Sequence, residues 1–245
     1  MLVYVYDGSF EGLLTAIYEA YYRKQSPGRL ETKENLQFGL LDEFVYIETD
    51  ETKSSRVYAS IQDKISSEAL DWVYHVYLSN EMQAGTYIYE YLKLGWKMGQ
   101  KVNLNLSDDR VLRVYKIFQR VAFEVHRMMG FVRFRLAEGG IYYASISPDN
   151  NIIELLAPHF SERLADQKWI LHDVGRGTAV LYNTCDWIIT EFGSEKMILI
   201  DKAESDYQRL WKDFFNTIGI ASRQNPRLQK QLMPKRYWKH LIEKN

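Results

Sequence analysis

The stretch SDDRVLRVYKIFQRVAFEVHRMMGFVRFRLAEGGIYYASI, residues 107–146, changes from a helical to a strand-like pattern at Gly130. In residues 110–129 the apolar side chains recur at helical spacing, at Val111, Val114, Phe118, Val121, Ala122 and Val125. After Gly130 the apolar residues alternate with Arg133 and Arg135, and Glu138-Gly-Gly140 has the composition of a hairpin turn. This pattern predicts a long amphipathic helix that is followed by an antiparallel hairpin, with its first strand beginning at residue 131 and its return strand at 141–146.

The same reasoning extends outward to the rest of the chain. Towards the N-terminus the patterns predict a short α/β unit and then a helical part: strand 2–6, helix 10–22, strand 44–48 and helices 55–65, 68–78 and 84–98. Towards the C-terminus they predict helices and further strands: helix 151–164, strands 168–172, 178–182 and 187–191, and helix 204–218. We therefore predict an α+β fold, with a small N-terminal α/β and helical region at 1–84 and a second domain at 85–245 that contains an antiparallel sheet with packed helices.

Composition excludes several classes of protein. Cys185 is the single cysteine, so the chain forms no intramolecular disulfide, no four-cysteine zinc site and no self-contained iron–sulfur cluster. The first residues have no basic segment before their short apolar run, and no run approaches the roughly 18 apolar residues of a membrane span. We expect a cytoplasmic protein with no membrane partner, no metal site and no cofactor.

Two histidines in the second half of the chain are candidates for chemistry. His159 is placed near the end of a predicted helix, and His172 is followed by Asp173 at the end of a predicted strand. A general base with an orienting carboxylate needs such residues, and Arg163 and Arg176 are suited to bind a phosphate. The alternative is structural: His159 packs at the helix end, and the His172–Asp173 pair ends a strand in a turn.

Positive charge collects on one face of the predicted helix 110–129. Four cations lie opposite its apolar side, and two more follow on the next strand: Arg113, Lys116, Arg120, Arg127, Arg133 and Arg135. Such a stripe can neutralise several phosphates of a nucleic acid. The alternative is an ordinary solvated face of an amphipathic helix.

The C-terminal segment is basic and aromatic, with seven Lys or Arg against one acid in residues 222–245, although the whole chain has a formal charge of −1. Cations that track a backbone and rings that stack on bases suit an unpaired nucleic acid. The candidate contacts are Arg223, Arg227, Lys235, Arg236, Tyr237 and Trp238. Alternatively, the aromatic and leucine side chains dock this segment onto the core.

Four segments of the sequence also resemble those of a known family: Tyr6–Ile17, Ala157–Arg163, Trp169–Asp173 and Asn225–Trp238. They resemble a bacterial family assigned to DNA metabolism or repair, whose larger part is the domain of unknown function 4130. The resemblance implies an association with a DNA-modifying radical-SAM protein or with a uracil-DNA glycosylase of the iron–sulfur type. Because no glycosylase domain is present in this sequence, it implies that base excision would come from a partner.

Together these observations predict a DNA-binding accessory protein for DNA repair or base modification. Two alternatives remain open. One is an enzyme that processes nucleotides or DNA with His172 and Asp173. The other is a module that docks a partner protein without binding DNA, with the acidic residues 42–51 as its contact surface.

Overall fold

The computed structural model describes residues 1–193, 200–201, 204–218 and 225–244. The chain divides into two compact units, Met1–Ala122 and Phe123–Asn245, and the division falls within a helix. The boundary predicted near residue 84 falls inside the first unit and remains a prediction. Among the described residues, no helix has the length and apolar character that a membrane span requires.

The first unit contains a parallel three-stranded sheet in the order β2-β1-β3. Its elements are β1 (Leu2–Tyr6), α1 (Phe10–Tyr22), β2 (Arg29–Thr32) and β3 (Glu43–Tyr46). Residues 3–6 of the central strand are buried, which explains its continuous apolar sequence. The Ser9 hydroxyl accepts the Gly12 N–H and so caps α1. The predicted α/β start is present, and β2 is an additional strand that sequence analysis missed.

Three helices follow in the first unit, α2 (Glu51–Lys64), α3 (Ser67–Tyr77) and α4 (Ala84–Met98), and a 3₁₀ helix at Gly99–Leu104 comes after them. Helix α4 approaches β2 closely. The Thr86 hydroxyl accepts the Leu30 N–H at 3.0 Å, and an added Cβ at Gly85 would lie 2.9 Å from the Leu30 carbonyl oxygen. A residue without a side chain is therefore required where the helix meets the strand.

Helix α5 (Asp109–Phe131) is the long amphipathic helix that the sequence predicted. Val111, Val114 and Val121 are fully buried, whereas the cations on the other side are largely exposed. The helix does not end at Gly130. The Arg133 Nη1 group donates to the Gly130 carbonyl at 2.7 Å, and this bond stabilises an end one turn before the next strand. The predicted strand start at residue 131 was therefore wrong.

The second unit contains a five-stranded sheet in the order β4-β5-β6-β7-β8. Its elements are β4 (Arg135–Ala137), β5 (Ile141–Ile146), α6 (Ile153–Arg163), β6 (Trp169–Asp173), β7 (Thr178–Tyr182) and β8 (Trp187–Glu191). The pair β5–β6 is parallel because α6 carries the chain back between them, and the other pairs are antiparallel. The α+β class is confirmed, but the sheet is mixed rather than purely antiparallel.

The described residues from 204 onward in the second unit form mainly helices. They comprise α7 (Glu204–Ile218), α8 (Pro226–Leu232), a C-terminal 3₁₀ helix (Lys235–His240) and a last 3₁₀ turn at Ile242–Lys244. One face of the sheet is a packed core with Ala144, Trp169, Leu171 and Val180 buried. The opposite face is polar along β5 and β6, and it is the starting point for the functional site.

Candidate functional site

The polar side of the second-unit sheet brings together residues from three elements. Tyr143, Ser145 and Ser147 alternate along and just after β5, so they project to one side. Arg135 on β4 is aligned with Tyr143, and His172 on β6 is aligned with Ser145. The C-terminal 3₁₀ helix adds His240. We call this set the polar face: Arg135, Tyr143, Ser145, Ser147, His172 and His240.

His172 is deeply placed in the polar face. Its side chain is 4% exposed, its Nδ1 is hydrogen-bonded to the Tyr143 hydroxyl at 2.8 Å, and its ring packs edge-on against Phe192. Burial lowers the pKa of His172, although the negative charge of Asp173 acts in the opposite direction. The imidazole is therefore neutral at pH 7 and can accept a proton.

The hydrogen bonds of the Asp173 carboxylate are made with Gly175 and Arg176 and not with His172. Its Oδ1 accepts the backbone N–H groups of Gly175 and Arg176, and its Oδ2 accepts Arg176 Nη1 at 2.9 Å. Successive residues of a strand face opposite sides of the sheet, which explains why the two side chains diverge. The structure thus pairs His172 with Tyr143, and it pairs Asp173 with Arg176.

Arg176 and His159 are both in contact with neighbouring residues of the second unit. The Arg176 guanidinium also donates to the carbonyl oxygens of Pro148 and Asp149, which fixes it within the turn after β6. The His159 ring packs edge-on against Phe160 at 4.9 Å, and its buried Nε2 has no hydrogen-bond partner among the described residues. Arg163 is exposed at the end of α6.

His240 was missed by sequence analysis. Its Nδ1 lies 3.0 Å from the Ser145 hydroxyl, and its Nε2 lies 3.1 Å from the Ser147 hydroxyl. Burial, together with the positive charges of Lys239 and Arg135, lowers the pKa of His240 to about 4. Tyr143, Ser145 and Ser147 alternate along the chain, and this pattern could have predicted the polar face from the sequence.

The polar face can therefore bind a polar ligand or move a proton. It presents two imidazoles that are neutral at pH 7, with three hydroxyl groups between them, next to the permanent charge of Arg135. The buried Arg135 Nε has no hydrogen-bond partner in the described part of the chain. Nor does that part contain a group of three or more His, Cys, Asp or Glu side chains placed to hold a metal ion.

The predicted basic stripe begins in the first unit on α5. Arg113, Lys116 and Arg120 are all exposed. Arg113 lies 3.7 Å from a Glu90 carboxylate oxygen, and Arg120 lies 2.6 Å from one of Glu81. Lys116 has no ion pair within the described ranges. Because the arginines are exposed and the carboxylates are partly exposed, each pair stabilises the fold by about 0–1 kcal/mol, and another anion can replace either carboxylate.

The remaining cations of the stripe belong to the second unit and are less accessible. Arg127 is half-buried on α5. Arg133 forms an ion pair with Glu243 at 2.7 Å and lies over the Trp211 ring, 5.3 Å from its centroid. Arg133 therefore serves the packing of the second unit.

The C-terminal segment is anchored by one ring. Tyr237 is 2% exposed, and its hydroxyl donates to the buried Glu124 carboxylate at 2.6 Å, so its ring has no free face for a base. Trp238 is half-buried, and its Nε1 donates to the Met233 carbonyl. This arrangement matches the docking alternative for Tyr237.

The cations of the same segment differ in their surroundings. Arg236 pairs with Asp149 at 2.6 Å, and Lys235 lies over the Trp238 ring. Arg227 is exposed on α8. Arg223 lies outside the described residues.

The model of the domain of unknown function DUF4130 matches residues 82–243, which is more than half of the chain. The chain belongs to the DUF4130 family. A search of the curated proteins finds no match. Every residue of the polar face lies within the DUF4130 match, as do the cations of α5. The first-unit sheet precedes the DUF4130 match.

Proposed function

We propose that this DUF4130 protein is a DNA-binding accessory protein in DNA repair or base modification, and that it acts in the cytoplasm with a radical-SAM or glycosylase partner. The observation that supports DNA binding is the exposed row of Arg113, Lys116 and Arg120 on α5. The partner and the pathway follow from the resemblance of the sequence to a DNA-repair family.

The row on α5 has the character of a phosphate-binding surface. Its three residues are three or four positions apart, so their side chains lie on one side of the helix. Phosphate oxygens can replace the partly exposed carboxylates of Glu81 and Glu90, and each phosphate that is neutralised releases counterions from DNA. Affinity for DNA should therefore fall steeply as salt is added.

The test is the salt dependence of DNA binding. Labelled single- and double-stranded DNA is titrated at several salt concentrations with the wild type and with an R113Q/K116Q/R120Q variant. The variant should bind less tightly, and the slope of log K against log salt should shrink by up to about 3. A K64Q/K97Q/K101Q variant is the matched control, because it removes the same charge from exposed lysines elsewhere in the first unit. Equal slopes for the two variants would overturn the α5 assignment.

A second candidate function is supported by the hydrogen bond between His172 and Tyr143. A neutral imidazole that is held by a phenol is equipped for general base catalysis, and this would make the protein an enzyme acting on nucleotides or DNA. His172→Ala should then abolish turnover while DNA binding is kept. If neither DNA binding nor turnover is found, the alternative is a module that docks its partner protein.

A further inference from the structure

The second unit has an open cleft beside α7 that the proposed function does not use. Its volume is about 390 Å³, within the usual range of small-ligand sites. Tyr142, Tyr207 and Trp211 supply aromatic walls, and Arg133, Glu204 and Gln208 supply polar groups. Aromatic walls with a few convergent polar groups are typical of sites for planar ligands.

The walls from α7 are accessible. Tyr207 is 62% exposed and Trp211 is 37% exposed, and the two residues are one helical turn apart on the same side of α7. Both side chains line the cleft. Large rings that remain exposed next to a cleft are available to stack on a ligand.

Trp211 is held in position by a charged pair. Its Nε1 donates to Glu243 Oε2 at 3.0 Å, and Arg133 Nη2 donates to Glu243 Oε1 at 2.7 Å. The Arg133 guanidinium also lies over the indole. A ring that is fixed before binding loses little conformational entropy when a ligand stacks on it.

One end of the cleft can form hydrogen bonds. The Glu204 side chain is 5% exposed; its Oε2 accepts the Leu136 N–H at 2.8 Å, and its Oε1 accepts Gln208 Nε2 at 3.1 Å. A carboxylate has about four lone-pair sites, so acceptor capacity remains. The Gln208 amide has a carbonyl oxygen and a second N–H besides this bond. These groups match the donors and acceptors at the edge of a nucleobase.

The charges of the cleft favour a neutral ring over a phosphate. The charge of Arg133 is already balanced by Glu243, and Glu204 adds a carboxylate to the cleft. Among the described residues that line the cleft, no unpaired cation is therefore left for a phosphate group, whereas an uncharged heterocycle needs none.

We infer that this cleft binds one unstacked purine or pyrimidine ring against Tyr207 and Trp211, with its polar edge directed to Glu204 and Gln208. This inference rests on the proposed function, because DNA held on a basic surface is the source of the base. The same ring chemistry could also be supplied by a free nucleoside, and the experiment separates the two sources.

The experiment uses a single-stranded oligonucleotide with one 2-aminopurine between two abasic sites, so that its ring has no neighbouring base to stack on, and, in parallel, the free 2-aminopurine nucleoside. The fluorescence of 2-aminopurine is read where tryptophan is not excited, and it falls when the ring stacks. With wild-type protein, quenching of the oligonucleotide is expected. Trp211→Ala and Tyr207→Ala should each remove the quenching and weaken oligonucleotide binding about 5-fold or more, the loss expected for one base–aromatic stack. Trp211→Phe retains a ring and should retain most of the effect.

The control and the outcomes separate this inference from the proposed function. Leu210→Ala changes an exposed apolar residue of α7 outside the cleft and should behave as wild type.

Salt-dependent DNA binding without quenching, or quenching that survives Tyr207→Ala and Trp211→Ala, overturns the cleft and leaves the proposed function standing. If no oligonucleotide binds at low salt, the proposed function fails. In that case, the cleft is supported as a nucleoside site if the free nucleoside is quenched by the wild type and not by Trp211→Ala. If the free nucleoside is not quenched either, the cleft is overturned.

Discussion

The Tyr237 hydroxyl donates a hydrogen bond of 2.6 Å to Oε1 of Glu124, and this bond joins the C-terminal 3₁₀ helix to α5 within the second unit. The same carboxylate accepts the N–H groups of Asp149 and Asn150 and the Asn150 side-chain amide. One buried acid therefore holds three segments of the chain together, including the loop before α6. Burial, with Glu124 nearby, raises the pKa of Tyr237, so the phenol remains a donor at physiological pH.

Removing this hydroxyl should destabilise the second unit. Tyr237→Phe leaves one acceptor site of a buried carboxylate unsatisfied, which costs about 1–3 kcal/mol. Urea denaturation followed by circular dichroism should show a lower midpoint with an unchanged slope. Tyr207→Phe is the control, because its hydroxyl lies on an exposed ring and its loss should change stability by less than about 0.5 kcal/mol. Equal effects of the two variants would contradict the role of the Tyr237–Glu124 bond.

His240 should make stability depend on pH. Its pKa in the folded protein is about 4, below its ordinary value of 6.5, so the unfolded chain binds more protons between these values. The contribution of His240 is therefore fully present above about pH 6.5 and is lost as the pH falls to about 4. His240→Asn cannot be protonated and should lose less stability on acidification than the wild type. Thermal denaturation of both proteins at pH 7.5, 6 and 5 measures the difference, and parallel curves would contradict the prediction.

Local patterns predicted much of the secondary structure but not how distant residues meet. The observed bounds of β1, α1, α4 and β5 match the predicted ones, since each has a clear periodicity and a capping or turn residue. Strand β2 was missed because it has only four residues, two of them charged. Its Arg29 side chain is satisfied by Glu31 and Asp42 after folding.

The candidate site was harder to predict from the sequence, because its residues are distant in the chain and meet only through tertiary packing. His172 was identified because it ends a strand, but in the structure it is hydrogen-bonded to Tyr143, and the next residue, Asp173, is bonded to Arg176. The two side chains diverge because successive residues of a strand face opposite sides of the sheet. The partner of Ser145 is 95 residues away at His240. Tertiary packing, and not any local signal, places that histidine on the polar face.

The ion pair between Arg133 and Glu243 should stabilise the end of α5. Although burial raises the pKa of Glu243, hydrogen bonds from Arg133 and Trp211 hold it below its ordinary value. Glu243→Gln removes the charge that balances the largely buried Arg133, and we expect a loss of about 1–3 kcal/mol. The change should also shift the tryptophan emission, because Trp211 loses a charged acceptor. Glu138→Gln, at an exposed turn residue, is the control and should leave the melting temperature and the emission unchanged.

Gly85 provides a test in which two effects have opposite signs. In an exposed helix, Gly→Ala stabilises by about 0.5–1 kcal/mol, because glycine loses more conformational entropy on folding. At Gly85 the new Cβ would lie 2.9 Å from the Leu30 carbonyl oxygen, and a backbone atom cannot move aside without displacing β2. Gly85→Ala should therefore destabilise the first unit by about 1–3 kcal/mol, the usual cost of overpacking.

At Gly130 an added Cβ would meet no described atom within 4 Å, so Gly130→Ala should raise stability instead. Urea denaturation of the two variants must give opposite shifts, and a stabilised Gly85→Ala would show that α4 does not approach β2 this closely.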